Sequence, residues 1–230
     1  MKRKVLVLAI LATSLLTVTS ARKLENVPEK AVLEDPCKTA STSGVFKIEQ
    51  LNQDVYCEMN TTFGGGWLVI QQRSYYAPDE ESFNRNWAKY RAGFGTVGKD
   101  SEFWLGLEPI HQLTKSGDYE LVVEVKDDND ENYAFARYSR IHVASESDKY
   151  RLAVGDYSGT AGDGLNQEAN SMQFTTFDSD NDNYEDNCAK DVWTGGWWFD
   201  HCGNSVLNAL SPHWNKMGKY YSRMMIHRKL

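Results

Sequence analysis

Apolar and polar residues alternate along much of this chain with a period of two. That spacing gives a strand one core-facing side and one polar side. Tyr119, Leu121, Val123 and Val125 alternate with Glu120 and Glu124, and Tyr133, Phe135 and Arg137 alternate with Ala134, Ala136 and Tyr138. Tyr150, Leu152 and Val154 form a further set, as do Met224 and Ile226 near the C-terminus. Trp67-Leu-Val-Ile-Gln71 is a short apolar run of strand length. Asp127-Asp-Asn-Asp-Glu131 lies between two of these strands and predicts a hairpin turn, its carboxylates solvated rather than gathered on a metal.

Helical spacing is rarer. Phe83, Trp87 and Tyr90 fall at i, i+4 and i+7, with Ser82 as a candidate N-cap and Gly93 past the end. Glu108 to Leu113 predicts a second short helix, with Pro109 in its first turn. The sum is an α+β chain: a mostly antiparallel sheet, short helices and a loop-rich second half. Seven tryptophans, twelve tyrosines and nine phenylalanines supply a large core.

The chain start bears on compartment. Lys2, Arg3 and Lys4 precede an apolar run from Val5 to Leu16, and Thr19-Ser20-Ala21 ends in small residues. This is the layout of a secretory signal peptide over 1–21, and the run is about half the length a bilayer span needs. A secreted, extracellular protein without a membrane span is expected. Cleavage takes the basic residues from 25 to 22 against 32 acidic ones, a net charge near −10. That balance excludes nucleic acid, whose phosphates need Lys and Arg clusters, and suits a cation or a cationic partner. Residues 22–36 are polar, carry Pro28 and Pro36, and read as a short disordered leader without a heptad seam or collagen triplets. Residues 37–230 then form one domain.

In an oxidising compartment the simplest of three connectivities for four cysteines pairs nearest neighbours, Cys37 with Cys57 and Cys188 with Cys202. A zinc site is disfavoured, because no CxxC pair occurs and the histidines are scattered. Asn60-Thr61-Thr62 is the only glycosylation sequon and marks an exposed turn.

Chemistry concentrates between Phe177 and Cys202. Five carboxylates fall between Asp178 and Asp186, interrupted by asparagines, and Asp191-Val-Trp-Thr-Gly-Gly-Trp-Trp-Phe-Asp-His follows. Such like charge repels itself unless a cation offsets it. Hard oxygen ligands at close spacing point to Ca²⁺. An EF-hand counted from Asp178 fails, since Asn183 and Ala189 occupy the positions that need glycine and an acid.

Several segments, in order, resemble the fibrinogen C-terminal (fibrinogen-related) domain. They include Ser43-Gly44-Val45-Phe46, Val55-Tyr56-Cys57-Glu58-Met59, Gly65-Gly66-Trp67, Trp87-Ala-Lys-Tyr90 with Gly93-Phe94-Gly95, and Glu102-Phe-Trp-Leu-Gly-Leu107. Phe174-Thr-Thr-Phe-Asp-Ser-Asp-Asn-Asp182, Asn187-Cys188-Ala189, Gly195-Gly-Trp-Trp198 and Cys202 complete the set. The resemblance implies three subdomains: a small N-terminal one stapled by Cys37–Cys57, a central twisted sheet that takes back the strand near Tyr220 to His227, and a loop-rich part holding Ca²⁺ and a ligand pocket. Family calcium ligands map to the Asp180 and Asp182 carboxylates and the Tyr184 and Asp186 carbonyls, with Asp186 in place of the usual glycine. Family lectins such as ficolins and tachylectins bind acetyl groups beside the metal, near a cis peptide that falls at His201–Cys202 here. Trp197, Trp198 and Phe199 would then wall the acetyl methyl, and the Cys202 and Gly203 amides would donate to its carbonyl.

The chain departs from that pattern. The Cys188–Cys202 loop is one residue longer than usual, and Gly203 replaces the histidine common in acetyl-binding lectins. The segment after Val206-Leu-Asn-Ala-Leu-Ser211 is cut to Pro212–Gly218, leaving Tyr220 or Trp214 to complete the wall. The expected function is calcium-dependent recognition of acetylated or glycosylated surfaces in innate defence, with self-association for avidity. The alternative is a protein-binding module that holds a peptide amine through Asp191 or Asp200. No GxSxG or HExxH occurs, and the adjacent Asp200 and His201 lack a nucleophile, so no enzyme is expected.

Overall fold

The computed structural model describes residues 33–74, 81–127, 132–215 and 221–229. The predicted signal peptide, most of the leader, the tip of the 127–131 turn and Tyr220 lie outside them. Among the described residues, no helix is long and apolar enough to cross a membrane.

Strands β1 (Gly44–Ile48), β2 (Gln53–Glu58) and β3 (Trp67–Arg73) come first. Helix α1 (Trp87–Ala92), short strands β4 (Phe94–Gly95) and β5 (Phe103–Trp104), and helix α2 (Leu107–Ser116) follow. Next are β6 (Tyr119–Lys126), β7 (Tyr133–Val143), β8 (Leu152–Val154) and β9 (Tyr157–Gly159). Three two-residue strands, β10 (Phe174–Thr175), β11 (Trp197–Trp198) and β12 (Ser205–Val206), lead to β13 (His213–Trp214) and β14 (Tyr221–Arg228). The main sheet is antiparallel, ordered β1-β2-β3-β14-β6-β7-β8, so the last strand is inserted between β3 and β6. This is the α+β architecture expected.

The central strands are apolar on both faces. Leu68 and Ile70 enter the main core while Trp67 and Val69 pack on the opposite face with Tyr56, Phe103, Val122 and Met225. A strand covered on both sides has no reason to alternate, which is why β3 reads as a continuous apolar run. The glutamates of β6, placed on its polar face by alternation, are not solvated. Glu124 pairs with Arg223 of β14 at 2.6 Å, Arg223 also reaches Glu58 of β2 at 3.0 Å, and Glu120 pairs with Arg137 of β7 at 2.6 Å. Cross-strand ion pairs allow these carboxylates to be buried.

Two local expectations shift. The N-cap of α1 is Asn86, whose side chain accepts from the Lys89 amide at 3.0 Å, and not Ser82. Gly93 ends the helix as expected, at φ +96°, where a Cβ would lie 2.4 Å from the Leu105 carbonyl oxygen. Residues 33–36 of the predicted leader, the part that is described, are packed on the domain. Leu33 is buried, and its carbonyl accepts from Arg228 at 3.0 Å. Asp35, 7 % exposed, takes hydrogen bonds from the Cys37 amide and the Tyr119 hydroxyl. The Cys37–Cys57 disulfide fastens this segment to β2.

Candidate functional site: the Asp180–Gly203 loops

The loops of the third subdomain are rooted in an aromatic cluster. Phe174 lies 5.1 Å from both Tyr90 and Trp198 and 5.9 Å from Trp104, ring centre to ring centre. The Trp198 indole donates to the Tyr150 carbonyl at 2.8 Å, and β10 pairs with β11 so that Phe174 faces Trp198. Gly195 must be glycine, because a Cβ there would sit 1.9 Å from the Asn208 carbonyl oxygen.

These packings correct the predicted pocket walls. Trp197, Trp198 and Phe199 are all buried, committed to the core rather than presented to a ligand. Trp214, the candidate replacement wall, is buried too, with its indole donating to the Gly162 carbonyl at 3.1 Å. Large rings gain most by leaving water, and all three predicted walls join the main core cluster.

The acidic loop is braced from inside. The Asn181 amide nitrogen accepts nothing but donates to the Phe174 and Ser179 carbonyls, and its backbone amide donates to the Thr175 hydroxyl at 3.0 Å. Pinning Asn181 inward leaves its neighbours Asp180 and Asp182 less enclosed than the core beneath. Both oxygens of Asp182 accept backbone amides, from Tyr184 at 3.0 Å and Cys188 at 3.1 Å. Partial burial pushes the Asp182 carboxyl up in spite of those bonds, and the Asp180 charge beside it adds to the rise. The Tyr184 and Asp186 carbonyls accept no hydrogen bond within the described residues. Two adjacent carboxylates, one of them destabilised as an anion, and two unspent carbonyls make a hard oxygen donor set that fits Ca²⁺. No group of three or more His, Cys, Asp or Glu side chains converges as a metal cluster among the described residues, so any metal here relies on those carbonyls. Asp178 is spent elsewhere, accepting from the Trp87 amide at 2.8 Å and the Thr176 hydroxyl at 2.7 Å.

The Cys188–Cys202 disulfide closes the second loop. Cys188–Val192 forms one π turn capped by Asn187, whose side chain accepts from the Lys190 amide. At the far end the His201–Cys202 peptide is trans, as are all peptide bonds of the described residues, contrary to expectation. The chain reverses instead through left-handed backbone at Cys202 (φ +63°) and Gly203 (φ +35°). Gly203 adopts this without a Cβ penalty. The Cys202 and Gly203 amides donate to no described residue.

Two contributors were not legible beforehand. The half-buried Trp193 ring stands 5.6 Å from His213, and its indole donates to the Cys202 carbonyl. Glu168 accepts from the Asn204 amide at 2.6 Å, which sets a carboxylate against the Gly203 turn. Glu168 is distant in sequence, and no spacing signals it. Asp200 is the second acid here. Its carboxylate takes hydrogen bonds from Asn183 at 2.7 Å and approaches His201 at 3.0 Å, and the Asn183 bond above all holds it below the ordinary carboxylate range. Asp191 is exposed on the π turn.

The family described as fibrinogen beta and gamma chains, C-terminal globular domain, matches residues 30–227. Bovine fibrinogen-like protein 1 is 43 % identical over 181 residues, covering 72 % of this chain and 56 % of the relative. Human ficolin-3 is 48 % identical over 155 residues, covering 67 % of this chain and 49 % of the relative. The chain thus spans about half the length of the curated relatives it matches. The fibrinogen-like globe domain of human ANGPTL2 superposes with a TM-score of 0.75 at 35 % identity, covering 84 % of this chain and 95 % of that one. A lamprey fibrin D-dimer complexed with the peptide Gly-His-Arg-Pro-amide superposes with a TM-score of 0.70 at 28 % identity, covering 83 % and 71 %. With its fold, its two disulfides and its loop subdomain in place, the chain belongs to the fibrinogen C-terminal globular domain family, a family of binding and recognition domains.

Proposed function

We propose that this is a secreted recognition domain in which Ca²⁺, held by Asp180, Asp182 and the Tyr184 and Asp186 carbonyls, organises a ligand site at the Cys202–Gly203 turn. The observation that carries this reading is the pair of unspent amides at Cys202 and Gly203 next to a loop tied to the acidic one. Left-handed backbone presents successive amides on one side, which suits a carbonyl or acetyl oxygen. The ligand is an acetylated sugar or amine on a cell or microbial surface. The similarity to ficolin-3 supports the choice, given the acetyl binding that the resemblance implies. With Trp197, Trp198 and Phe199 buried, the apolar wall falls to the half-buried Trp193. Ca²⁺ supplies charge that offsets the Asp180–Asp182 repulsion and fixes the loop.

A second reading has its own observation. Glu168 and Asp200 place two carboxylates around the same turn, a setting for a cationic amine. The solved lamprey fibrin D-dimer with its peptide ligand supports a protein or peptide partner of that kind.

The test is calorimetric titration with N-acetylglucosamine and, separately, Gly-His-Arg-Pro-amide, in calcium and in EDTA, with Asp180→Asn/Asp182→Asn alongside. Saturable sugar binding that disappears with EDTA and in the variant is the expected result. Peptide binding without sugar binding transfers the site to the second reading. Neither ligand binding, in a folded protein stabilised by calcium, overturns both.

A further inference from the structure

A separate cleft of about 290 Å³ opens between the segment 81–84 and the loops that carry Thr194 and Leu210. Arg73, Glu81, Phe83, Thr194, Ala209 and Leu210 line it. Thr194 belongs to the Cys188–Cys202 loop, but none of these residues is a proposed Ca²⁺ ligand or carries one of the Cys202 and Gly203 amides. The cleft is at the lower end of the size range of small-ligand sites, roughly 300 Å³ upward.

Its chemistry is polarised. Arg73 is buried and fixed by three partners. Its Nε donates to Glu102 Oε1 at 3.1 Å, its Nη1 donates to the Ala209 carbonyl at 3.0 Å, and its guanidinium lies 4.3 Å from the Phe83 ring centre. Of the five N–H donors of an arginine, two are used, which leaves three without a partner among the described residues. Glu102 does not compete for them, since its oxygens take Arg73 Nε, the Ser74 amide and the Glu81 amide. Glu81, the other acid at the cleft, is held by Arg85 at 2.5 Å and 3.2 Å. Leu210 also lines the cleft and is 77 % exposed, the most exposed large apolar side chain among the described residues. A fixed guanidinium with free donors recognises a carboxylate in a way that a flexible lysine does not. An exposed leucine and a phenylalanine ring favour an apolar body on the same molecule.

We infer that this cleft binds a carboxylate carrying a compact apolar group, with the carboxylate on Arg73 and the apolar group between Phe83 and Leu210. A free C-terminal apolar residue of a peptide and a small aryl or alkyl acid share that chemistry.

The test is titration with 3-phenylpropionate and with 3-phenylpropionamide, and with Gly-Gly-Gly-Phe bearing either a free or an amidated C-terminus. Each is followed by NMR or calorimetry on the whole chain. The acid is expected to bind saturably at millimolar levels and its amide at least about tenfold more weakly. Tighter binding of the free peptide than of the small acid identifies a chain terminus as the source, and the reverse order identifies a small acid. Leu210→Glu, an exposed change that leaves the Arg73 network intact, is expected to weaken binding about tenfold by like-charge repulsion. Arg73→Lys tests the fork directly, provided it folds. Equal binding of acid and amide, or none at tens of millimolar, overturns the inference. Loss of binding on adding EDTA or N-acetylglucosamine also overturns it, because the ligand would then occupy the loop site.

Discussion

Asn183 holds Asp200 at two points: its backbone amide donates to the Asp200 carbonyl at 2.9 Å, and its side-chain amide donates to the Asp200 carboxylate at 2.7 Å. Asn183 lies between Asp182 and Tyr184, and Asp200 lies two residues before Cys202, so this clamp joins the acidic loop to the turn that carries the free amides. Asn183→Ala removes the side-chain half of the clamp and leaves the Asp180 and Asp182 carboxylates in place. Calcium binding is expected to weaken only a few-fold, while ligand binding at the turn falls at least tenfold. Parallel calcium and ligand titrations of the variant check this. Equal losses in both would show that the two loops do not communicate through this residue.

How far the sequence discloses all this depends on the source of each signal. Strands β6, β7 and β14 were legible because their alternation is local. The burial of Glu58, Glu120 and Glu124 was not, because the arginines that neutralise them come from other strands, Arg223 lying 99 residues from Glu124. The π turn at Cys188 and the left-handed Cys202 leave no periodicity to read. The tryptophans at 197 and 198 are plainly aromatic in sequence, yet only packing, of Trp198 against Phe174 and Tyr150 and of Trp197 against Trp198, shows that they are core. The motif points to these loops; only tertiary packing determines which of their side chains are spent.

Arg223 neutralises two buried carboxylates. Its Nη2 meets Glu124 at 2.6 Å and its Nη1 meets Glu58 at 3.0 Å. Burial alone would raise Glu58, but hydrogen bonds from the Ser43 hydroxyl and the Asn60 amide, with the Arg223 charge, hold it below the ordinary value. Arg223→Ala leaves two like charges close together and unpaired, and is expected to cost roughly 3–5 kcal/mol. The triple variant Arg223→Met/Glu58→Gln/Glu124→Gln removes charge from all three and should recover much of that loss. Denaturant unfolding midpoints of the two variants against the parent measure it.

The Cys188–Cys202 bridge closes a loop with a sequence separation of 14. Constraint of the unfolded chain by a loop of that size amounts to about 3 kcal/mol. Cys188→Ala/Cys202→Ala should therefore lower stability by about that amount. It should also free the Cys202 turn, so ligand binding should fall more than calcium binding. Thermal unfolding and paired titrations separate the two effects.

Asp35 gives the protein a pH dependence with a definite sign. Burial raises its carboxyl above the usual aspartate value of about 3.9, outweighing the hydrogen bonds from the Cys37 amide and Tyr119 and the nearby Arg228 and His227 charges. Between the unfolded and folded values the native state binds more protons than the unfolded state. Stability from this group is therefore full below the ordinary value and is lost as pH rises through the raised one. Asp35→Asn keeps an acceptor for the Cys37 amide and carries no charge to bury. Its stability relative to the parent should be lowest at about pH 3.5 and should climb as pH rises toward neutrality. Unfolding midpoints of both proteins across that range give the difference directly. A difference that stays flat, or declines with rising pH, would mean that Asp35 is ionised at no cost in the folded chain, its hydrogen bonds from the Cys37 amide and Tyr119 offsetting burial.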